Sequence, residues 1–149
     1  MSPSPESSKR PRTVDIAFWC FVGSAVIMIV GGLMAATASY EAARAALPDT
    51  ISDEAVRDYL TIYRYSGAGA AVAAAALAFL AGRARRGDVR SRMATFGLVF
   101  AILVVVLLLA VGAGVAQPLV LLALLPMLVG VAVFVQPGAR EWYAREGTP

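Results

Sequence analysis

Apolar residues gather in four long windows, at 16–38, 65–82, 93–115 and 118–136, with short polar breaks between most of them. Each window is close to the roughly 17 to 25 residues that cross a bilayer core as a helix. The pattern predicts an all-α integral membrane protein with four transmembrane helices. Residues 1–13 are rich in Ser and Pro and carry Lys9, Arg10 and Arg12, the composition of a disordered basic tail. A second short tail is expected over 144–149. Ala36-Thr37-Ala38 imitates a signal-peptide cleavage site, but the preceding apolar stretch is longer than the roughly 7 to 15 residues of such a leader.

The longest polar break, 40–64, predicts a short helical hairpin between the first and second spans. Ala-rich 41–46 extends the first helix, and Leu47-Pro48-Asp49 stops it, because the residue before a proline is pushed out of helical geometry. Ser52, followed by Asp53 and Glu54, reads as a new helix start, with a hydroxyl cap and two carboxylates at the positive end of the dipole. Val56, Tyr59, Leu60 and Tyr63 then recur on one helical face, and the helix runs on into the second span. The connection over 112–118 is nearly absent, with Gly112 and Gly114 permitting the turn and Pro118 suited to a first helical position. Pro126 falls inside the fourth window and is expected to bend it.

Charge orients the windows. Lys9, Arg10, Arg12, Arg83, Arg85, Arg86, Arg90, Arg92, Arg140 and Arg145 fall on one side, and only Arg44, Arg57 and Arg64 on the other. Cationic loops resist translocation, so both termini and the 83–92 loop are expected in the cytoplasm, and the hairpin outside. The hairpin is acidic, with Glu41, Asp49, Asp53, Glu54 and Asp58, whereas the inner arginines favour anionic lipid rather than nucleic acid. Trp19, Tyr40, Tyr59, Tyr63, Tyr65, Trp142 and Tyr143 lie near window ends, where such rings anchor at the headgroup level. Composition agrees: 59% of the 149 residues are apolar and 15% charged, with a mean hydropathy of +0.72, too little polar surface for a soluble globule of this size.

The second window is rich in small residues. Gly67, Ala71 and Ala75, or Ala70, Ala74 and Ala78, present a face on which a neighbouring backbone can come close, as do Gly31 and Ala35 in the first window. We expect these to form the seam of a four-helix bundle.

The chemistry is sparse. There is no His, which removes the usual axial haem ligand and the commonest general base near neutral pH, and Cys20 is the only cysteine. No ionisable residue lies deep in a window, as proton-coupled carriers usually require. The hairpin carboxylates read as a solvated helix surface. No enzyme, metal or cofactor is expected. Arg almost wholly replaces Lys, Asn is absent, and Ala, Gly and Val dominate, the imprint of a high-GC genome. With its short basic tail, Phe18-Trp19 at the head of the first span, helical hairpin, Arg-rich loop and Pro137-to-Tyr143 close, the chain resembles the small four-span membrane proteins of mycobacteria and related actinobacteria. That resemblance implies a multi-pass location and no particular activity.

The function expected from these features is that of an accessory or assembly subunit of a larger cell-envelope or respiratory membrane complex, with a membrane protein or a second copy as partner. Val56, Tyr59 and Tyr63 are the candidate partner-binding residues. Arg83, Arg85, Arg86, Arg90 and Arg92 are candidates for contact with anionic lipid or a partner. The alternative is a small carrier or lipid-handling protein, which would need a cavity lined by Ser24, Thr37, Ser66, Thr95 or Gln117.

Overall fold

The computed structural model describes residues 11–146, so the tail expected before residue 11 and residues 147–149 lie outside the described residues. Those described form six helices: α1 (Arg12–Ala36), α2 (Tyr40–Ala46), α3 (Asp53–Ala84), α4 (Val89–Gly112), α5 (Pro118–Phe134) and α6 (Pro137–Glu146). Among the described residues α1, α3 and α4 are long and apolar enough to cross a membrane, and α5 with α6, bent by 61° at the break between them, is a fourth candidate. The described residues are therefore all-helical outside the turns that join them, with three to four candidate spans. Arg12 and Thr13, expected in the tail, already belong to α1.

Local chemistry sets the boundaries. The first helix does not run on through 41–46: Thr37 Oγ1 and its amide both donate to the Leu33 carbonyl, at 2.8 and 3.0 Å. Ser39 then caps a separate α2 by accepting from the Ala42 amide. A hydroxyl that competes for helix-end groups ends one helix and starts the next. The Arg64 guanidinium secures the break by donating to the Ala38 carbonyl at 2.8 and 2.5 Å. Leu47, before Pro48, is extended and ends α2, and Ser52 caps α3 by accepting from the Ala55 amide at 3.3 Å. α3 continues for 32 residues. Gly114 turns the chain between α4 and α5 with φ +62°, a conformation that L side chains rarely adopt. α5 starts at Pro118 and stays helical through Pro126.

α1 is the centre of the bundle, with α3 on one flank and α5 on the other, while α4 packs on α3 and scarcely meets α5. In lipid, helices associate through close backbone packing rather than hydrophobic transfer, which favours small residues at the contacts. Gly32 of α1 and Gly67 of α3 cross so closely that a Cβ on Gly67 would stand 2.5 Å from the Gly32 carbonyl oxygen. Ala35 and Ala71 flank the crossing. Gly31 turns the other way, and a Cβ there would lie 2.7 Å from that of Leu119 on α5. Gly130 of α5 closes on Phe21, and Ser24 Oγ donates to the Ala123 carbonyl at 2.8 Å. The core follows this strip of α1 through Val14, Ala17, Phe21, Ala25 and Met28.

After the bend, α6 folds under one end of the bundle. Trp142 and Tyr143 were expected to anchor at the membrane surface, but they are 6% and 2% exposed. Tyr143 donates its hydroxyl to the Ala84 carbonyl at 2.5 Å. The bend makes the difference, because it turns the two rings inward, whereas Trp19 remains 62% exposed on the bundle surface.

Candidate functional site

Three regions hold the chemistry: the Arg-rich end, the opposite end where α2 lies against α3, and a cleft beside α4.

At the Arg-rich end the five candidate arginines have different surroundings. Arg85 Nε donates to Asp15 Oδ1 at 2.8 Å and its guanidinium lies 4.6 Å from the Phe18 ring centroid, which ties α3 to α1. Arg92 reaches the Phe134 carbonyl at 3.3 Å from within a cage of Phe96, Phe134 and Tyr143, whose ring centroids stand 5.7, 5.6 and 4.9 Å away. Both engage aromatic faces at cation–π distance and help hold helices together. Arg86 and Arg90 are exposed, and Arg83 pairs with Asp88 at 3.5 Å while lying over Phe79. Arg83, Arg86, Asp88 and Phe79 line a shallow hollow of about 260 Å³. Asp88 also caps α4, accepting from the Arg90 and Ser91 amides and, at 2.7 Å, from the Ser91 hydroxyl. The Ser91 hydroxyl bond, followed by the amide bonds, holds its carboxyl below the usual range.

At the other end, Tyr40 donates to Asp53 Oδ1 at 2.8 Å, and Arg44 donates to the Ile51 carbonyl at 2.9 Å. The Asp53 bond raises the Tyr40 hydroxyl above its ordinary pKa, because ionisation would set a phenolate against a carboxylate. Val56 is fully buried inside the chain and presents no surface to a partner, and Leu60, one helical turn on, is buried as well. Tyr59 and Tyr63 are half-buried and stack with ring centroids 5.9 Å apart and planes 18° from parallel. Ile62 and Tyr65 are exposed on the same helix.

The cleft lies between α3 and α4 and opens to the side, with a volume of about 390 Å³. It exists because α4 leans away from α5 and because α3 is thin there, with Gly69, Ala70 and Ala73 facing the bulkier Leu98, Ile102 and Val105. Met28 and Val120 line it from α1 and α5. Its polar residues are Tyr65, Ser66 and Gln117. Gln117 Nε2 donates to Ser66 Oγ at 2.7 Å and to the Tyr63 carbonyl at 3.3 Å. Its Oε1 is buried and has no partner among the described residues. Of the five polar residues named from the sequence, only Ser66 and Gln117 reach the cleft. Ser24 bonds across to α5, whereas Thr37 and Thr95 bond back to their own helices. The small residues of α3 were legible as a packing seam, but not as the wall of a cavity.

The chain matches no protein-family model, no curated protein and no solved structure.

Proposed function

We propose that the chain is a non-enzymatic, multi-pass protein of the cytoplasmic membrane and an accessory or assembly subunit of a larger envelope or respiratory complex. Both termini and the Arg-rich end lie inside, the α2 end lies outside, and the layout is that of the actinobacterial four-span proteins. The observation that carries this reading is the reach of α3. Its 32 residues, at about 1.5 Å each, make a rod of about 48 Å against a hydrocarbon core of about 30 Å. The excess is three turns or so of helix, and the charged stretch 53–64 supplies it. Tyr40, Arg44 and Arg64 brace that projection against α2 and the end of α1. A rigid projection carrying the Tyr59–Tyr63 stack and exposed Ile62 suits a contact role, since aromatic side chains dominate binding energy at interfaces.

The test is extraction of a C-terminally tagged chain from native membranes in mild detergent, with mass spectrometry of what co-elutes. A stoichiometric membrane-protein partner that is lost from Tyr59→Ala/Tyr63→Ala supports the proposal. A partner retained by that variant, or no partner at all, rejects it. The cleft beside α4 favours a second reading, in which the protein holds a lipid.

A further inference from the structure

We infer that the cleft between α3 and α4 binds one phospholipid from the leaflet at the α2 end, with an acyl chain in the apolar slot and a donor-bearing headgroup on the Gln117 carboxamide oxygen. This deepens the lipid-holding reading and rests on it, and it is independent of the Tyr59–Tyr63 contact.

The dimensions select the occupant. The α4 wall runs from Leu98 to Leu109, a rise of about 16 Å, or half of a hydrocarbon core about 30 Å thick. The slot is thus one leaflet deep. Exposed Ala101 and Val105 border it, so its side opening faces what surrounds the spans, which is lipid. Its volume of about 390 Å³ lies in the lower part of the roughly 300 to 1,000 Å³ range of small-ligand sites. A protein helix of the same length, about 10 Å across, displaces far more than that.

The polar end selects the headgroup. Gln117 is 8% exposed, and a buried polar atom calls for a partner where no water reaches it. Its amide orientation is determined by its neighbours. Turned over, its oxygen would face the Tyr63 carbonyl, and Ser66 Oγ already donates to that carbonyl at 2.9 Å. Nε2 is therefore the donor to both, and Oε1 is the buried acceptor that has no partner among the described residues. An ethanolamine ammonium supplies the donor, whereas a choline headgroup has none.

The experiment is native mass spectrometry of the full chain, purified in mild detergent and offered phosphatidylethanolamine or phosphatidylcholine of the same acyl chains. The expected result is one retained ethanolamine lipid per chain, favoured about tenfold over the choline lipid by one charge-assisted hydrogen bond. A Cβ on Gly69 meets nothing within 4 Å, so Gly69→Leu fills the slot without straining the backbone and is expected to abolish retention. Gln117→Leu is expected to keep the lipid and lose the headgroup preference. Retention by Gly69→Leu at the wild-type level overturns the site, and equal retention of the two lipids by the wild type overturns the role of Gln117. If the wild type retains neither lipid, the lipid-holding reading falls with the inference.

Discussion

The crossing of α1 and α3 at Gly32 and Gly67 makes a sharp demand on stability. In Gly67→Ala the new methyl stands 2.5 Å from the Gly32 carbonyl oxygen, 2.6 Å from the Ala35 Cβ and 2.9 Å from the Ala36 amide nitrogen. Two of these neighbours are backbone, so no rotamer change relieves the clash, and the helices must part by about 1 Å to reach ordinary contact near 3.5 Å. Overpacking of this kind costs roughly 1 to 3 kcal/mol. Exchanging Gly for Ala in a helix interior returns up to about 1 kcal/mol. Because the obstacle is backbone, the upper part of the cost applies, and the net loss is about 1–2 kcal/mol. Gly69 lies two positions further on, where a Cβ meets nothing within 4 Å. Gly69→Ala therefore keeps only the propensity gain and stabilises by up to about 1 kcal/mol. Sodium dodecyl sulfate titration of the purified chain in mild detergent, read by helical circular dichroism and by the fluorescence of buried Trp142, measures both variants. Shifts of the same sign, or a Gly67→Ala midpoint equal to the wild type, would refute a backbone-tight crossing.

Other expectations concern the polar ties. Ser24→Ala removes the buried bond to the Ala123 carbonyl and is expected to cost about 0.6–1 kcal/mol in the same titration, and no loss would show the bond to be idle. Tyr143→Phe loses the bond to the Ala84 carbonyl, a cost of about 1 kcal/mol. α6 should then be cleaved sooner in limited proteolysis, and an unchanged cleavage rate would contradict its docked position. A double-mutant cycle with Asp15→Asn and Arg85→Gln, whose native side chains are 38% and 33% exposed, should give a coupling of no more than about 1 kcal/mol that shrinks as salt is added. A salt-independent coupling would place the pair in a drier setting than the structure does. Asp88 is held below its ordinary pKa, so its contribution is full above the unfolded value and is lost as pH falls through the folded one. Asp88→Asn is expected to flatten the stability profile on that acid limb, and a limb of undiminished slope would assign the titration to another carboxyl.

Local signals and distant ones separate cleanly along this chain. Helical class and the presence of several helices apolar enough to span a membrane follow from window length and hydropathy, which belong to contiguous residues and survive any packing. The Ser52 cap, the stop at Leu47-Pro48 and the start at Pro118 were legible for the same reason, since each depends on one residue and its near neighbours. The break at Thr37 to Ser39 was not, because an alanine-rich continuation outweighs a lone serine until Arg64, 26 positions along the chain, takes the Ala38 carbonyl. The candidate sites divide in the same way. Tyr59 and Tyr63 share a helical face by periodicity alone, but the complete burial of Val56 on that helix was decided by tertiary packing. The arginines announce a basic end. Only helix assembly decided that Arg85 would meet Asp15 and Arg92 would enter an aromatic cage built from α4, α5 and α6. Small residues on α3 promised close packing and gave two outcomes: a seam where Gly67 meets Gly32, and a cleft where Gly69 meets nothing. A missing side chain lets a neighbour approach but does not bring one. That depends on where α4 and α5 come to rest, which is a property of the whole bundle.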